Sequence, residues 1–326
     1  MRVGILGCGH IASVMAETIN KTNGVFLEAV AARDKAKADE FAHQYKAVKA
    51  FGSYEELCKD PVTELIYIAT PISLHKEHML LAIKHKKAVL CEKAFTVNAK
   101  EAEEVFEAAK EANVLVAEAI WTRYMSSRTI INDLIKEGRI GRVNSVSANL
   151  GYKIAAKSRI ADPSLGGGAL LDIGIYPLNF ALMAREGVPV AAMAGVCAKS
   201  ESGVDIRECM NLRFEDDSEA TLFADATTVS DRRGCIYGSE GYIEVQNINN
   251  PEVIRIYSGD RNPQLLEEIP IVHSVNGYEY ELYECKKALE EHKIEVPSMN
   301  HRETLRVMRL MDAFRAAWSV RLGSEL

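Results

Sequence analysis

Three polar side chains interrupt the apolar segment over residues 169–180. Asp172 and Tyr176 lie four residues apart, which places them on one side of a helix, and Asn179 follows about one turn later. The segment is apolar nearly all round, which predicts burial, and a buried carboxylate or phenol needs hydrogen-bonding partners. One interpretation is therefore a polar network that ties this helix to a neighbour.

The other interpretation is proton transfer during oxidation of an alcohol. Removal of a hydride from carbon also releases a proton from oxygen, so a base must reach the hydroxyl group. The ordinary tyrosine pKa of about 10 is too high for efficient proton transfer near neutrality, but an adjacent ammonium group favours the phenolate and lowers that pKa. Lys93, at the carboxyl end of a predicted strand, could supply that charge. We predict Tyr176 and Lys93 as catalytic residues, with Asp172 orienting one or both.

The beginning of the chain has a pattern that suits a dinucleotide. A short apolar run ends at Leu6, residues 7–12 have the pattern G-x-G-x-x-A, and apolar residues then recur at helical spacing. Gly7 permits the turn, Gly9 allows close approach of a pyrophosphate, and Ala12 lets helix and strand pack tightly. A purely structural strand-to-helix turn is the alternative. The predicted cofactor contacts here are Gly7, Cys8, Gly9, His10, Ile11 and Ala12.

The end of the second predicted strand, residues 25–32, bears on the choice of cofactor. Arg33 and Asp34 follow it, where the adenosine ribose of a dinucleotide would lie. An acidic residue there favours NAD, whereas an arginine accommodates the 2'-phosphate of NADP. Arg33 comes first and stays charged at cellular pH. We predict a preference for NADP(H), with NAD(H) left open and a capping role for both residues as the structural alternative.

Other strand ends predict further cofactor contacts, because doubly wound sheets bind ligands outside the carboxyl ends of their strands. His75 begins the next predicted helix, where a histidine is more often a cap or packing residue, so we place it behind the direct contacts. The residues predicted at the strand ends are Ala69, Thr70, Pro71, Glu92 and Lys93.

The elements that position these residues alternate between strand and helix as far as residue 120, which predicts a Rossmann domain over residues 1–120. Later predicted strands in this part cover residues 65–69, 88–91 and 114–118. Helices are predicted over residues 35–45 and 54–58, and a third follows the capping-box spacing from Asn98 to Glu101.

From residue 121 onward, strands with alternating polarity predominate. They are predicted over residues 143–150, 191–198, 206–214, 220–227, 242–246 and 253–257, and helices over 128–137, 278–291 and 302–318. Alternation predicts a sheet with one buried and one open face. The predicted fold class is α/β, with an N-terminal doubly wound parallel sheet and a C-terminal α+β domain, residues 121–326, that has a largely antiparallel open sheet.

Composition narrows the class of partner. The chain has 326 residues, of which 48% are hydrophobic and 26% charged, as in a soluble globular protein of two domains. A net charge of -7 argues against nucleic acid. We expect no membrane-spanning run, and no signal peptide because the first strand begins at residue 2. Seven scattered cysteines and ungrouped histidines predict no disulfide, no metal and a cytoplasmic location.

These motifs together resemble the glucose-fructose oxidoreductase and inositol dehydrogenase family (Gfo/Idh/MocA). The resemblance covers nearly the whole chain and rests on residues 7–12, on Thr70-Pro71 with His75, and on residues 91–93 and 166–174. Residues 31–34, 118–124 and 168–176 are most similar to its dihydrodiol dehydrogenase branch.

The resemblance implies an NADP-dependent oxidoreductase that transfers a hydride between nicotinamide and a secondary alcohol or carbonyl of a vicinal diol or sugar. It implies Arg33 at the 2'-phosphate, Lys93 near the nicotinamide and Tyr176 as acid/base. Homodimers or homotetramers through the open sheet are also implied. The implied substrate contacts are Trp121, Arg123, Asp172, Tyr176 and Asn179. For Trp121 and Arg123, packing at a domain junction is the alternative.

Two departures from the family pattern matter. Ala94 stands where the family usually has proline, and a cis bond before a non-proline residue costs about 2.5 to 4 kcal/mol, so a trans bond after Lys93 is expected. Asn179 replaces an aspartate of inositol-type relatives, which disfavours a cyclitol substrate. Two other functions stay open: a non-catalytic sensor of sugar or nucleotide, and an enzyme that recycles a tightly held cofactor between two substrates.

Overall fold

The computed structural model describes all 326 residues, and the chain divides into two compact units. The first comprises Met1–Tyr124 and His273–Arg309, and the second comprises Met125–Val272 and Leu310–Leu326. Compactness thus groups residues 273–309 with the amino-terminal segment, while the division into domains of residues 1–120 and 121–326 stays a prediction.

The first unit is built around a six-stranded sheet with the strand order β3-β2-β1-β4-β5-β6. All of its strand pairs are parallel, which confirms the predicted Rossmann sheet. The order reverses between β1 and β4, the switch point at which such sheets bind ligands. Its strands are β1 (Arg2–Leu6), β2 (Phe26–Ala31), β3 (Lys49–Phe51), β4 (Leu65–Ile68), β5 (Ala88–Glu92) and β6 (Val116–Ala119).

Three of the five helices that follow these strands begin at a residue whose side chain caps them. Asn98 accepts a hydrogen bond from the Glu101 amide at 3.0 Å and starts α5, as the capping-box spacing predicted. Strand β3 was not predicted, because three half-buried residues are too few to show a period. The helices are α1 (His10–Lys21), α2 (Lys35–Tyr45), α3 (Tyr54–Cys58), α4 (His75–Lys84) and α5 (Ala99–Ala112).

The second unit contains an eight-stranded sheet with the order β14-β13-β12-β11-β7-β10-β9-β8. Every neighbouring pair is antiparallel except β10 with β7, so the predicted largely antiparallel sheet is confirmed. Strands β11 and β14 were missed, since neither shows a clear alternation of apolar and polar residues. The strands are β7 (Val143–Gly151), β8 (Val190–Lys199), β9 (Asp205–Phe214), β10 (Glu219–Asp225), β11 (Gly234–Gly238), β12 (Gly241–Val245), β13 (Val253–Ser258) and β14 (Leu265–Pro270).

One buried helical segment packs against this sheet. Leu170–Gly174 forms a π-helical turn that runs directly into α8 (Ile175–Ala184), and every residue of both is buried. By length and composition Pro163–Ala184 could span a membrane, so the expectation that no run reaches that length was wrong. Its most apolar stretch lies wholly inside the protein, as in a core helix. The other helices of this part are α6 (Ser126–Lys136) and α7 (Ser158–Ala161).

Two helices complete the chain, α9 (Glu279–Glu290) and α10 (His301–Trp318). Helix α9 belongs to the first unit, whereas α10 contributes its residues up to Arg309 to the first unit and the rest to the second. In α10, Val307, Met311 and Phe314 are fully buried and form an apolar stripe.

Candidate active site

The glycine loop connects β1 to α1 as predicted. Gly7 has a φ of +103°, and a Cβ atom there would lie 2.9 Å from the carbonyl oxygen of Ala69 at the end of β4. Glycine is therefore required at the point where the two strand ends meet. At Gly9, by contrast, no atom lies within 4 Å of the position a Cβ would take. The loop leaves open space beside the helix N-terminus.

The N-terminus of α1 suits a phosphate group. Gly9 is the N-cap residue and offers no side-chain acceptor to the amide groups of the first turn, which contains no acidic residue. These amide donors and the positive end of the helix dipole fit the pyrophosphate of a dinucleotide. Burial raises the pKa of the Cys8 thiol to about 11 against the opposing charge of Lys37, so the thiol stays protonated. We therefore expect Cys8 to contribute to the loop through its backbone and not through a thiolate.

Arg33 and Asp34, after β2, have different surroundings. The Asp34 side chain caps α2 by accepting a hydrogen bond from the Ala36 amide at 3.0 Å. Arg33 is exposed. The capping role that the sequence allowed for both residues is thus confirmed for the Asp34 carboxylate.

A polar cluster that the sequence did not reveal lies next to Arg33. The rings of Tyr54 and His78 meet edge to face with centroids 4.6 Å apart, and His78 Nδ1 lies 2.9 Å from the Thr70 hydroxyl. Burial, with a smaller contribution from the Arg33 charge, lowers the pKa of His78 to about 4. A neutral His78 thus contacts both Thr70, at the end of β4, and the Tyr54 ring.

His75 links the ends of β4 and β5. It is 1% exposed, its Nε2 lies 2.8 Å from the Thr70 carbonyl oxygen, and its Nδ1 lies 3.0 Å from that of Ala94. Burial lowers its pKa to about 4, so the ring is neutral and donates one N–H at a time. These contacts support the placement of His75 behind the direct cofactor contacts.

The turn that carries Lys93 differs from expectation. The peptide bond between Lys93 and Ala94 is cis, so the trans bond expected from the missing proline is corrected. Lys93 is half-buried, and hydrogen bonds from other elements hold the backbone after it: His75 contacts the Ala94 carbonyl, and the Phe95 amide donates to Glu118 at 3.2 Å. Before it, the Glu92 carboxylate accepts a hydrogen bond from the Tyr67 hydroxyl.

The two pocket residues implied by the resemblance are buried and have half-buried partners in the first unit. Trp121 stacks on Tyr278 with ring centroids 4.1 Å apart and planes 15° apart. Arg123 is 1% exposed, and its Nη2 lies 3.6 Å from a Glu303 carboxylate oxygen. These contacts agree with the packing alternative for both residues, and their contact with substrate stays a prediction.

In the second unit, the predicted polar residues sit in the π turn and α8. The Asp172 carboxylate pairs with the Arg159 guanidinium at 3.1 Å, a partner that no sequence motif indicated. Tyr176 is 8% exposed. Asn179 is fully buried and donates from Nδ2 to the Ile175 carbonyl of its own helix at 2.9 Å.

Acidic groups support the start of this helical segment. Asp205 accepts a hydrogen bond from the Leu170 amide at 2.6 Å, and a Cβ at Gly168 would lie 2.6 Å from its other oxygen. The Glu208 carboxyl is buried below Gly174 with neither oxygen hydrogen-bonded, and burial raises its pKa well above the ordinary value. Both carboxyl groups come from β9, so the sheet supports the turn that contains Asp172.

The structure therefore brings the predicted cofactor residues together at the carboxyl ends of β1, β2, β4 and β5. Lys93 belongs to this unit, whereas Asp172, Tyr176 and Asn179 belong to the other. The contributing residues that sequence reasoning missed are Tyr54, His78, Glu118 and Arg159. Of these, only Glu118 could have been found from the sequence, because it lies at the end of a predicted strand, as Glu92 does.

Two family models match the chain. Residues 1–120 match an oxidoreductase family with an NAD-binding Rossmann fold, GFO_IDH_MocA, and residues 130–244 match a GFO/IDH/MocA C-terminal domain. Together these ranges cover more than two thirds of the sequence.

Individual proteins agree with these models. A trans-1,2-dihydrobenzene-1,2-diol dehydrogenase from Danio rerio is 35% identical over 75% of this chain and 74% of its own length. Among solved structures, an aldose-aldose oxidoreductase from Caulobacter crescentus has a TM-score of 0.87 at 23% identity, with 97% of each chain covered. A 3-ketoreductase from Actinomadura kijaniata, in complex with TDP-benzene and NADP, has a TM-score of 0.83 at 22% identity, with 96% of each chain covered. The chain therefore belongs to the Gfo/Idh/MocA oxidoreductase family and is an NAD(P)-dependent dehydrogenase.

Proposed function

We propose that the protein uses NADP(H) to interconvert a secondary alcohol and its carbonyl, with a vicinal diol or a sugar as substrate. The observation that carries the proposal is a tyrosine, Tyr176, held in a buried apolar helix one turn after an aspartate with a fixed cationic partner. The substrate class is supported by the dihydrodiol dehydrogenase that is 35% identical to this chain.

Each catalytic residue has one task in this proposal. A bound cofactor would supply its nicotinamide as hydride acceptor during oxidation and as hydride donor during reduction. Tyr176 accepts the hydroxyl proton during oxidation and returns it during reduction. Lys93 stabilises the phenolate form by its charge. Asp172, held by Arg159, orients the proton-transfer group.

The preference for NADP(H) is supported by the different surroundings of Arg33 and Asp34, which follow β2. Because the Asp34 carboxylate caps α2, it has an established partner other than a ribose hydroxyl. The exposed Arg33 guanidinium can donate two hydrogen bonds to a phosphate while keeping its charge. NAD(H) would gain nothing from that arginine.

The proposed substrate contacts differ in exposure: Trp121, Asp172 and Tyr176 are slightly exposed, whereas Arg123 and Asn179 are almost completely buried. Trp121, Asp172 and Tyr176 are proposed as direct contacts. Arg123 faces Glu303, and Asn179 bonds its own helix, so both contribute by holding elements in place.

We also propose a cytoplasmic homodimer or homotetramer formed through the open face of the eight-stranded sheet. That face carries a ladder of tyrosines, in which Tyr242 and Tyr257 stack at 4.6 Å, together with Val196, which is 69% exposed. An open apolar and aromatic face on a soluble domain is typical of an interaction surface.

Tyr176→Phe tests the proposed chemistry. Loss of a general acid/base should lower turnover of a trans-dihydrodiol by about 10²- to 10⁴-fold, while NADPH affinity, measured by fluorescence, stays within about twofold. Tyr283→Phe, which removes a hydroxyl from a partly exposed tyrosine, serves as the matched control. Near-normal turnover by Tyr176→Phe would remove the phenol from the mechanism. Binding of NADPH without turnover on any diol, sugar or carbonyl would contradict the proposal as a whole.

A further inference from the structure

Glu118 reaches the turn that carries Lys93. It lies in β6, beside β5, and its Oε1 accepts a hydrogen bond from the Phe95 amide at 3.2 Å. The residue is 1% exposed. Its own backbone carbonyl accepts a hydrogen bond from the Tyr124 hydroxyl at 2.6 Å. The carboxylate therefore extends from a well-anchored strand end to a backbone amide two residues after Lys93.

His75 holds the same turn from α4. Its Nδ1 lies 3.0 Å from the Ala94 carbonyl oxygen and 3.3 Å from that of Phe95. The peptide groups that follow Lys93 are thus contacted by one side chain from a helix and one from a neighbouring strand. Both contacts are buried, so water does not compete for them.

We propose that Glu118 is a positioning residue for Lys93: by accepting the Phe95 amide hydrogen bond, its carboxylate sets the course of the backbone from which the lysine side chain extends. The inference rests on the catalytic role proposed for Lys93. A displacement of about 1 Å in a catalytic group can lower the rate about 100-fold. Loss of a hydrogen bond to the backbone two residues after Lys93 should therefore lower turnover.

Glu118 also has an electrostatic role, which has to be separated from the hydrogen bond. The charge of Arg123 favours its ionised form, and that of Glu92 on the neighbouring strand opposes it. Arg123 has a second acidic neighbour, Glu303, at 3.6 Å, which remains when Glu118 is changed. Because Glu303 still faces the buried Arg123 charge, we expect variants of Glu118 to fold. Variants that remove only the hydrogen-bond acceptor or only the charge of Glu118 can then be compared.

Two substitutions make the separation. Glu118→Gln keeps an oxygen that can accept from the Phe95 amide but removes the charge. Above about pH 7, where Glu118 is ionised, Glu118→Asp keeps the charge but is one methylene shorter, so its oxygens withdraw from the turn. We expect Glu118→Asp to lower kcat for diol oxidation about 10- to 100-fold with little change in the KM for NADP, and Glu118→Gln to stay within about threefold of the unchanged protein.

Hydrogen exchange of the full chain gives a readout that needs no turnover. Glu118→Asp should speed exchange in a peptide that contains Phe95, whereas Glu118→Gln should leave it protected, because exchange follows local opening of the hydrogen bond. Glu107→Gln, which neutralises an exposed acidic residue of α5, is the matched control and should leave both kcat and this exchange unchanged.

The opposite order, with Glu118→Gln impaired and Glu118→Asp normal, would assign the effect to charge and overturn the inference. Equal effects of the two substitutions, including none, would overturn it as well. Lys93→Ala distinguishes this failure from failure of the proposed function. If Lys93→Ala keeps near-normal turnover, the proposed mechanism is wrong; if it is inactive while Glu118→Asp is normal, only the positioning role is wrong.

Discussion

At the scale of single residues, neighbours in sequence take up different tasks. Arg33 and Asp34 carry opposite charges at the end of β2, and either could have faced the cofactor. The Asp34 carboxylate is bonded to the first turn of α2, because its N-cap position brings it to the Ala36 amide. Arg33 remains exposed beside Tyr54 and His78, whose titration its charge influences.

Arg33→Ala should therefore weaken NADPH binding selectively. Loss of charge-assisted hydrogen bonds to a phosphate is worth about 1.5 to 3 kcal/mol, so the Kd for NADPH should rise about 10- to 100-fold while that for NADH changes less than about twofold. Fluorescence titration of both cofactors measures this difference. Arg261→Ala, at an exposed position beyond β13, is the control. Equal losses for both cofactors would show that Arg33 does not recognise the phosphate.

The buried carboxyl of Glu118 predicts a pH dependence of stability. Burial raises its pKa to about 7, so between its ordinary value and about pH 7 the folded protein holds a proton that the unfolded chain has released. The contribution of this group to stability is therefore full at low pH and is lost as pH rises toward 7.

Because Glu118→Gln cannot titrate, the free energy of unfolding of the unchanged protein, relative to that variant, should fall between about pH 5 and about pH 7.5. Urea denaturation at the two pH values measures the difference, and other buried acids cancel in the comparison. A difference that stays constant or rises with pH would mean that the folded state does not hold this proton.

At the scale of elements, the Leu170–Gly174 turn and α8 show how a glycine run prepares a helix. Three glycines precede the segment, and Gly168 has a φ of +115°. Its lack of a side chain lets Asp205 of β9 reach the amide of Leu170. The π turn contains Asp172, and π turns are frequent at functional sites.

Gly168→Ala should destabilise the second unit more than an ordinary glycine substitution. The alanine methyl group would lie 2.6 Å from an Asp205 carboxylate oxygen, and the alanine backbone would have to keep a positive φ of +115°. Together these two effects should lower the free energy of unfolding by about 1 to 3 kcal/mol. Gly187→Ala, with a φ of +79° but no atom within 4 Å, is the control for the backbone contribution alone. Chemical denaturation measures both variants, and an equal loss would show that Asp205 gives way without cost.

At the scale of the whole molecule, the open face of the eight-stranded sheet is the feature that a lone chain leaves unexplained. The alternation in β9 buries Met210, Leu212 and Phe214 and turns the intervening side chains outward. On that outward side Val196 of β8 lies opposite Cys209 of β9. An exposed valine on the edge strand β8, with stacked tyrosines on β12 and β13 of the same open face, suits a flat self-complementary interface.

Val196→Glu should therefore lower the oligomeric state, since a carboxylate would be buried without a partner in the interface. Sedimentation at micromolar concentration measures the mass of the unchanged protein and of the variant. Val229→Glu, at an exposed loop valine away from the strands, should leave the mass unchanged. A monomeric unchanged protein, or a variant that still assembles, would contradict an interface on this face.

Much of the fold could be predicted because its signals are local. The bounds of α2 and α3 follow from capping residues and apolar spacing within a few positions, and they agree with the structure. Strand β3 and strand β14 carry no such signal, since one is three residues long and the other is largely exposed. The Lys93–Ala94 bond was mispredicted because the cost of a cis bond is a property of the dipeptide, whereas its surroundings are set by distant residues.

The sequence by itself determined the change from alternating strands and helices to strands of alternating polarity, the glycine loop at β1, and the residue types able to move a proton or recognise a phosphate. Each of these depends on neighbours along the chain, and local periodicity and backbone sterics suffice to read them. The tertiary structure alone decided the partners: Arg159 for Asp172, Glu118 and His75 for the Lys93 turn, and His78 for Thr70. Hydrogen bonds form only between atoms within about 3 Å, and which distant residues come that close is a result of packing.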